Sequence, residues 1–138
     1  MKFIIMLTLC FNAFSLIAQT DKVVNNYRIS PNNECAIEFG RIQSSATKNG
    51  KFGFRIDISN KIGYEGHISG YAKFVTKNKA VFTDEECGAL TFYFLPNNLV
   101  RIQETNCSYH HGANICFSGD YKKYISKWWI WNLLHWHL

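Results

Sequence analysis

The sequence predicts an all-β domain, a small antiparallel meander of about seven strands that closes into a barrel or sandwich. Hydrophobic and polar residues alternate with a period of two along several short segments, which is the pattern of half-buried strands. Asn, Gly and Pro residues separate these segments and supply the turns. Hydrophobic residues make up 47% of the 138 residues, enough for the core of one domain.

Residues 1–18 have the composition of a secretory signal peptide. Lys2 provides a basic start, residues 3–17 are almost wholly apolar without charge, and Ala18 is a small residue before a polar stretch. The apolar segment is also shorter than the ~20 residues that a spanning helix needs. We therefore predict that cleavage after Ala18 releases the protein into the periplasm or the extracellular space. An uncleaved anchor is the alternative.

Removal of the first 18 residues leaves an even number of cysteines. Cys10 belongs to the removed segment, because the bulky Leu9 before it does not suit a lipid-attachment signal. Export permits disulfides, and four cysteines allow three pairings. None of the cysteines has the CxxC spacing of zinc ribbons and thioredoxin-like proteins, so we predict two disulfides. The four cysteines are Cys35, Cys87, Cys107 and Cys116.

The predicted exported chain is mildly basic. Lys2 is the only charged residue among the first 18, so 14 basic and 10 acidic residues remain. These charges are scattered along the sequence and form no basic cluster of the kind that binds nucleic acids. We therefore expect no nucleic-acid partner, although a mild excess of positive charge favours contact with anionic surfaces.

The β-domain is predicted over residues 35–123, after a polar N-terminal arm at residues 19–34. The alternating residues 36–39 and 52–58 are its first two strands. Asn49-Gly50 lies between them and favours a type I′ turn, because both central residues of that turn need positive φ. These two strands are therefore predicted to form a hairpin.

A third strand is predicted over residues 68–74 and a fourth from Ala80, with a turn at residues 76–79. Gly70 and Ala72 lie on the apolar face of the third strand. Such small residues indicate a bend or the close approach of another backbone.

The hairpin over residues 87–107 is the most strongly specified element. A three-residue loop fits it, with Pro96 at the second position of a type I turn and Asn98 in the left-handed conformation. The facing pairs in this register are Leu95 with Leu99, Phe94 with Val100, Phe92 with Ile102, and Cys87 with Cys107.

Facing cysteines at the open end of a hairpin lie within bridging distance. We therefore predict a Cys87–Cys107 disulfide, which leaves Cys35–Cys116 as the second. Strict alternation, however, places Cys87 on the face of Thr91 rather than on that of the phenylalanines. A bulge at Gly88 would change this face, and the sequence leaves both arrangements open.

A last strand is predicted over residues 115–121, and residues 124–138 form a distinct C-terminal tail. The tail is too short to span a membrane as a helix. It is predicted either to pack on the domain as a short helix or to contact a partner or a membrane interface, where tryptophan is favoured. A non-native end created by a reading-frame change is the remaining alternative. Its four tryptophans are Trp128, Trp129, Trp131 and Trp136.

The sequence contains no recognisable catalytic or metal-binding constellation. Adjacent His110 and His111 point opposite ways in an extended chain, and no Cys, Asp or Glu is spaced to complete a metal site with them or with His135 and His137. The acids of residues 84–86 are interpreted as a solvated turn, and no serine lies in a nucleophile elbow. We therefore expect a protein that is not an enzyme and needs no cofactor.

Several tyrosines fall off the apolar faces of the predicted strands or within loops. Aromatic side chains in such places serve either ligand recognition or cross-strand packing. These tyrosines are Tyr64, Tyr71, Tyr93 and Tyr109.

From about residue 33 to residue 123, the chain resembles a group of small exported bacterial β-domain proteins. The segments that carry the resemblance are GKFGFRIDIS, GHISGYAKF, KAVFTDEECGALTFYF and CSYHHGANICFSGDYKK. Such proteins are similar in size and export to periplasmic lysozyme inhibitors, small β-barrels that plug an enzyme's active-site cleft. Those inhibitors carry a Ser-Gly loop, which Ser118-Gly119 or Ser69-Gly70 would match. A basic chain is poorly suited to a basic lysozyme.

These observations predict a non-enzymatic, extracytoplasmic binding domain for a protein or a cell-envelope ligand, with inhibition of an enzyme as one form. The binding residues are not identified by the sequence. The alternative is a structural or membrane-associated envelope protein that uses its tryptophan-rich tail for peripheral membrane contact. The residues that would make that contact are Trp128, Trp129, Trp131 and Trp136.

Overall fold

A computed structural model describes residues 23–125, which form an all-β closed barrel. Its eight antiparallel strands follow one another in chain order, and β1 pairs with β8 to close the barrel. The strands are β1 (Val23–Ile29), β2 (Phe39–Ser45), β3 (Lys51–Ser59), β4 (Glu65–Thr76), β5 (Lys79–Phe82), β6 (Ala89–Leu95), β7 (Leu99–Thr105) and β8 (Gly119–Lys123). One 3₁₀ turn, Ser108–His110, lies between β7 and β8.

Several predictions concern segments outside the described residues. They are the signal peptide with Cys10, the tryptophans of the tail, and His135 with His137. Within residues 23–125, the structure contains no helix with the length and apolar character needed to cross a membrane.

The polar arm predicted over residues 19–34 is wrong for Val23–Ile29, which form β1. This strand pairs with β2 on one side and with β8 on the other, and its Tyr27 is buried in the core. The sequence does not predict this strand, because Asn25 and Asn26 interrupt the apolar alternation. The barrel therefore has eight strands rather than about seven.

Two predicted strands are shifted along the chain. The strand predicted from Ala36 is β2, which begins at Phe39, because Ala36 has a φ of 51° and cannot continue an extended strand. The last strand begins at Gly119, whereas Ile115 and Phe117 are buried in the loop before it. The alternation of apolar residues in this segment therefore predicts which side chains are buried, but it does not predict a strand.

Both predicted hairpin turns are present. Asn49 and Gly50 have φ values of 53° and 69°, the two positive values that a type I′ turn requires. In the second hairpin, Leu95 faces Leu99 as predicted. Its loop differs from a type I turn, because Asn97 also has a positive φ of 65°.

The barrel interior is a packed hydrophobic core. Phe52 lies at the centre of an aromatic cluster, with ring centroids 5.4 Å from Phe92, 5.5 Å from Phe74 and 5.7 Å from Phe94. Gly70 is needed because a Cβ there would collide with the ring of Phe82. Eight-stranded barrels have an interior just wide enough for side chains to fill, and this one is filled.

The two ends of the barrel differ in construction. At one end, which we call the turn end, short turns join the strands at residues 46–50, 77–78 and 96–98. At the opposite end, the loop end, the connections are longer and comprise residues 30–38, 60–64, 83–88 and 106–118. Binding residues are concentrated on loops that a rigid scaffold positions. We therefore expect a binding site at the loop end.

Candidate functional site

Two disulfides tie three of the four loops of the loop end together. Cys35–Cys116 joins the β1–β2 loop to the β7–β8 loop, with 5.5 Å between the Cα atoms. Cys87–Cys107 joins the β5–β6 loop to the same β7–β8 loop, with 3.9 Å between the Cα atoms. These are the pairs that the hairpin register predicts, and they make the loop end a cross-linked surface.

The burial of Cys87 is explained without a bulge in the strand. Cys87 precedes β6 and Cys107 follows β7, so strand alternation does not apply to either residue. The backbone N–H of Gly88 donates to the carbonyl of Asn106 over 3.0 Å, and Asn106 has a φ of 56°. This left-handed residue turns the chain so that both sulfur atoms enter the core.

A buried Glu104–His111 pair fixes the β7–β8 loop from within. Glu104 Oε1 lies 2.8 Å from His111 Nε2, and the two side chains are 11% and 8% exposed. The other carboxylate oxygen, Oε2, accepts the backbone N–H of Phe117 over 2.7 Å. His111 Nδ1 lies 2.9 Å from the carbonyl oxygen of Gly112, so both ring nitrogens have a hydrogen-bonding partner.

Sequence analysis did not identify Glu104 as important, although the sequence contains a signal. Glu104 has the same strand parity as Val100 and Ile102, whose side chains point into the barrel. A carboxylate at an inward position has to find partners or remain unsatisfied. His111 provides one of these partners and His110 points the other way, towards Asp84 at 3.5 Å.

The two Ser-Gly pairs belong to the barrel wall. Ser69-Gly70 lies within β4, and Ser118-Gly119 leads into β8. Ser118 Oγ accepts the backbone N–H of Glu104 over 2.9 Å and thereby continues the strand pairing beyond β8. Tyr121, two residues after Gly119, donates its hydroxyl to the carbonyl of Phe117 over 3.0 Å, and burial raises the pKa of this phenol.

Exposed apolar and aromatic side chains project from the loop end. Tyr109 is 83% exposed and Ile62 is 77% exposed, and Phe39 and Tyr64 are also open to solvent. Tyr64 lies against Gly112, where an added Cβ would come within 2.9 Å of its ring. Of the four tyrosines predicted off the core, Tyr64 and Tyr109 are therefore at the loop end. The other two, Tyr71 and Tyr93, lie on strands β4 and β6.

A groove of about 480 Å³ runs between β3, β4 and the 3₁₀ turn. It is lined by Phe39, Ser59, His67, Tyr109 and His110, among others. The groove is thus part aromatic and part polar, and it opens beside the most exposed tyrosine of the loop end.

Asp57 organises the charges at one side of this groove. Its carboxylate lies 3.4 Å from Arg41, 3.1 Å from Arg55 and 2.8 Å from His67 Nδ1. Partial burial raises the pKa of Asp57, but hydrogen bonds from Arg55, His67 and Arg41 outweigh it and leave the pKa below its usual value. Asp57 therefore remains ionised and fixes the orientation of His67.

The loops of the loop end are acidic although the protein as a whole is basic. They contain five exposed acids, Glu34, Glu38, Asp84, Glu85 and Glu86, and Glu65 follows directly at the start of β4. Among these described loop residues, Lys61 is the single lysine or arginine. The net charge of the chain is therefore a poor guide to the partner, because the loop end presents the opposite sign.

Asp84 also has a structural role in its loop. Its Oδ1 accepts the backbone N–H groups of Glu86 and Cys87 over 2.9 Å and 2.6 Å. This bonding closes the turn just before the Cys87–Cys107 disulfide. Within residues 23–125, no three His, Cys, Asp or Glu side chains come together as a metal site.

No family model matches the chain, and comparisons with curated proteins and with solved structures find no match. The function is therefore inferred from the loop end itself. Its features are cross-linked loops, exposed aromatic side chains and negative charge.

Proposed function

We propose that the protein is an extracytoplasmic binding protein whose loop end recognises a basic surface on a partner protein. One observation carries this proposal: the loop end, three of whose four loops are disulfide-linked, presents Tyr109 and Ile62 to solvent and also contains exposed carboxylates. An exposed apolar anchor surrounded by charges of one sign is the usual composition of a recognition surface.

Rigid loops favour tight binding because little conformational entropy remains to be lost. Cys35–Cys116 and Cys87–Cys107 restrict the loops covalently, and the buried Glu104–His111 pair restricts the loop between them. Tyr109 lies in the 3₁₀ turn that immediately precedes His111. Its ring is therefore held on a fixed base while remaining accessible to a partner.

Negative charge adds selectivity for a cationic partner. The carboxylates of Asp84 and Glu86 lie 3.5 Å and 3.8 Å from His110 Nε2. Carboxylates on exposed loops accelerate encounter with a basic protein, and they repel an acidic one. The partner surface should therefore be rich in lysine or arginine.

The two disulfides indicate an oxidising, extracytoplasmic environment, since intracellular thiols are usually kept reduced. The proposed route to that compartment is export directed by residues 1–18. Partners are then other exported proteins or proteins that reach the cell envelope from outside.

The proposed form of binding is inhibition, in which the loop carrying Tyr109 covers or enters the active-site cleft of a basic enzyme. The resemblance to periplasmic lysozyme inhibitors makes lysozymes the first enzymes to test. The acidic loop end removes the charge conflict that the overall composition implies.

The test measures turnover by lysozymes of several classes with one molar equivalent of the protein. We expect turnover to fall for at least one class. Tyr109→Ala should then weaken binding about 10- to 100-fold, which is the range for loss of an aromatic anchor. Glu86→Lys should weaken it through charge repulsion, most strongly at low salt.

Val75→Ala is the matched control, because Val75 is exposed on β4 near the turn end. It should leave affinity unchanged. Unaltered turnover for every lysozyme class would refute the inhibitor form. A basic protein that binds Tyr109→Ala and Glu86→Lys as tightly as the parent would refute the loop end as the binding surface.

A further inference from the structure

Positive charge collects at the turn end, opposite the acidic loops. Seven lysines lie in the short turns or on the strand ends beside them: Lys48, Lys51, Lys73, Lys77, Lys79, Lys122 and Lys123. Within the described residues, no acid occupies these turns or the adjoining strand ends. The fold therefore gathers these lysines at one end of the barrel and the acids of the loops at the other.

The lysines at the turn end are arranged at a cost to the barrel. Lys51 and Lys73 are directly opposite each other in the β3–β4 pairing, and Lys48 forms a bridge with Lys51. Like charges at facing positions destabilise a sheet. Within residues 23–125, none of the seven lysines forms an ion pair that would offset this repulsion. Folding stability therefore does not explain the cluster.

Backbone hydrogen bonds hold the neighbouring turns in one rim. The N–H of Phe74 donates to the carbonyl of Gly50 over 2.9 Å, and that of Phe94 donates to Asn78 over 2.9 Å. The N–H of Lys123 donates to Asn98 over 2.8 Å. The lysine side chains thus extend from a continuous, ordered edge of the barrel.

Apolar side chains are exposed at the same end. Val75 and Leu95 lie at the ends of strands that lead into the turns, and Tyr124 and Ile125 follow β8. Lysine stems also cover apolar surface while their ammonium groups reach polar surroundings. Exposed apolar groups at the same end as several lysines are suited to the boundary between lipid headgroups and acyl chains.

We propose that the turn end docks on an anionic lipid bilayer, through the seven lysines and the exposed apolar groups among them. Lysines near an anionic leaflet are attracted electrostatically, and the attraction falls away within about a Debye length. The lysines come from separate turns and strand ends, so their charges are spread over the turn end and not gathered at one point. A headgroup layer therefore fits the turn end better than a compact soluble anion does.

The position of the chain end supports the same orientation. Tyr124 is held at the turn end, where its N–H donates to the carbonyl of Asn26 over 2.6 Å. The sequence that follows contains four tryptophans within residues 126–138. Tryptophan favours membrane–water interfaces. The chain therefore leaves the barrel at the lysine rim and continues with a segment whose composition suits the same boundary.

Docking by the turn end would direct the loop end away from the membrane. A partner in the surrounding solution would then reach Tyr109 and the acidic loops without obstruction. This inference does not depend on the proposed loop-end function, because the two surfaces lie at opposite ends and are assayed separately.

The test measures co-sedimentation of the exported, purified full protein with lipid vesicles. We expect binding to vesicles of phosphatidylcholine with 30% phosphatidylglycerol, weak binding to pure phosphatidylcholine, and a decrease as salt rises. Lys48→Gln and Lys77→Gln should each lower the partition coefficient about fivefold, since each lysine contributes one favourable charge. The double variant should lose about 25-fold, because the two turns are separate.

Lys61→Gln is the matched control, since it removes the one lysine of the loop end and should leave partitioning unchanged. Equal losses in Lys61→Gln and Lys77→Gln would refute the turn end as the docking surface. Equal binding to neutral vesicles would refute the electrostatic basis. Binding to soluble polyanions without binding to anionic vesicles would show that the lysines recognise a polymer and not a bilayer.

Tryptophan fluorescence provides a second readout, because all four tryptophans lie in residues 126–138. We expect the emission to shift to the blue on anionic vesicles, and the shift to weaken in the double lysine variant. An unchanged shift in that variant would show that the tail binds lipid by itself, which would overturn the role assigned to the lysines.

Discussion

Glu104 illustrates how a single buried carboxylate can hold a loop in place. Its two oxygens meet His111 and the backbone N–H of Phe117, and its own N–H donates to Ser118. The three partners lie at different points of the loop that carries Tyr109. The position of the exposed Tyr109 therefore depends on Glu104, a residue whose own side chain is largely buried.

Glu104→Ala should lower the free energy of unfolding by about 3 kcal/mol. The substitution leaves the His111 ring and the Phe117 N–H without their acceptor, and burying polar groups without partners is costly. Urea denaturation measures the change. Glu65→Ala, at an exposed carboxylate near the same loops, is the control and should change stability by less than ~0.5 kcal/mol. A loss below about 1 kcal/mol in Glu104→Ala would contradict the bracing role.

At the scale of elements, the turn of the β2–β3 hairpin requires a particular backbone conformation. Gly50 has a φ of 69°, and a Cβ added there would meet no atom within 4 Å. Substitution at Gly50 therefore tests the turn conformation without steric interference from neighbours.

Gly50→Val should destabilise the protein by about 1–2 kcal/mol, because a β-branched residue is strained at positive φ. Gly50→Asn should cost clearly less, since asparagine tolerates the left-handed region. Thermal unfolding of the two variants under identical conditions measures the difference. Similar losses in both variants would show that the left-handed conformation is not what the turn requires.

At the scale of the whole molecule, the two disulfides restrict the unfolded chain to different extents. Cys35–Cys116 spans 81 residues of sequence, whereas Cys87–Cys107 spans 20. Cross-links that close longer loops remove more entropy from the unfolded chain. The long disulfide also joins the first and last loops of the barrel, next to the β1–β8 closure.

Replacement of Cys35 and Cys116 by alanine should cost ~4.5 kcal/mol, and replacement of Cys87 and Cys107 should cost ~3.3 kcal/mol, from loop-closure entropy. Urea denaturation of each double variant measures the two losses. A larger loss for the short disulfide would show that packing of the fully buried Cys87 and Cys107 sulfurs outweighs the entropy of the unfolded chain.

The charge distribution is also a property of the whole molecule. The acids of the loops and the lysines of the turns alternate along the sequence, because the chain visits each end in turn. An up-and-down barrel gathers every second connection at the same end. The two poles that carry the proposed partner surface and the proposed membrane surface are produced by this topology.

The sequence by itself determined what depends on neighbouring residues. Alternation in the β6–β7 segment predicted the facing of Phe92 with Ile102, and Asn49-Gly50 predicted a turn with two positive φ values. The same register predicted the disulfide pairs. These features are local, or follow from one hairpin, so a pattern a few residues long contains the information.

Tertiary structure alone decided what depends on distant partners. Val23–Ile29 becomes a strand only because β2 and β8 supply its hydrogen bonds, and Ile115 is buried in a loop because the barrel end covers it. Glu104 meets His111 because the chain turns back at the barrel end after β7. The candidate site has the same origin: its aromatic and acidic side chains come from separate connections, and barrel closure brings them to one end.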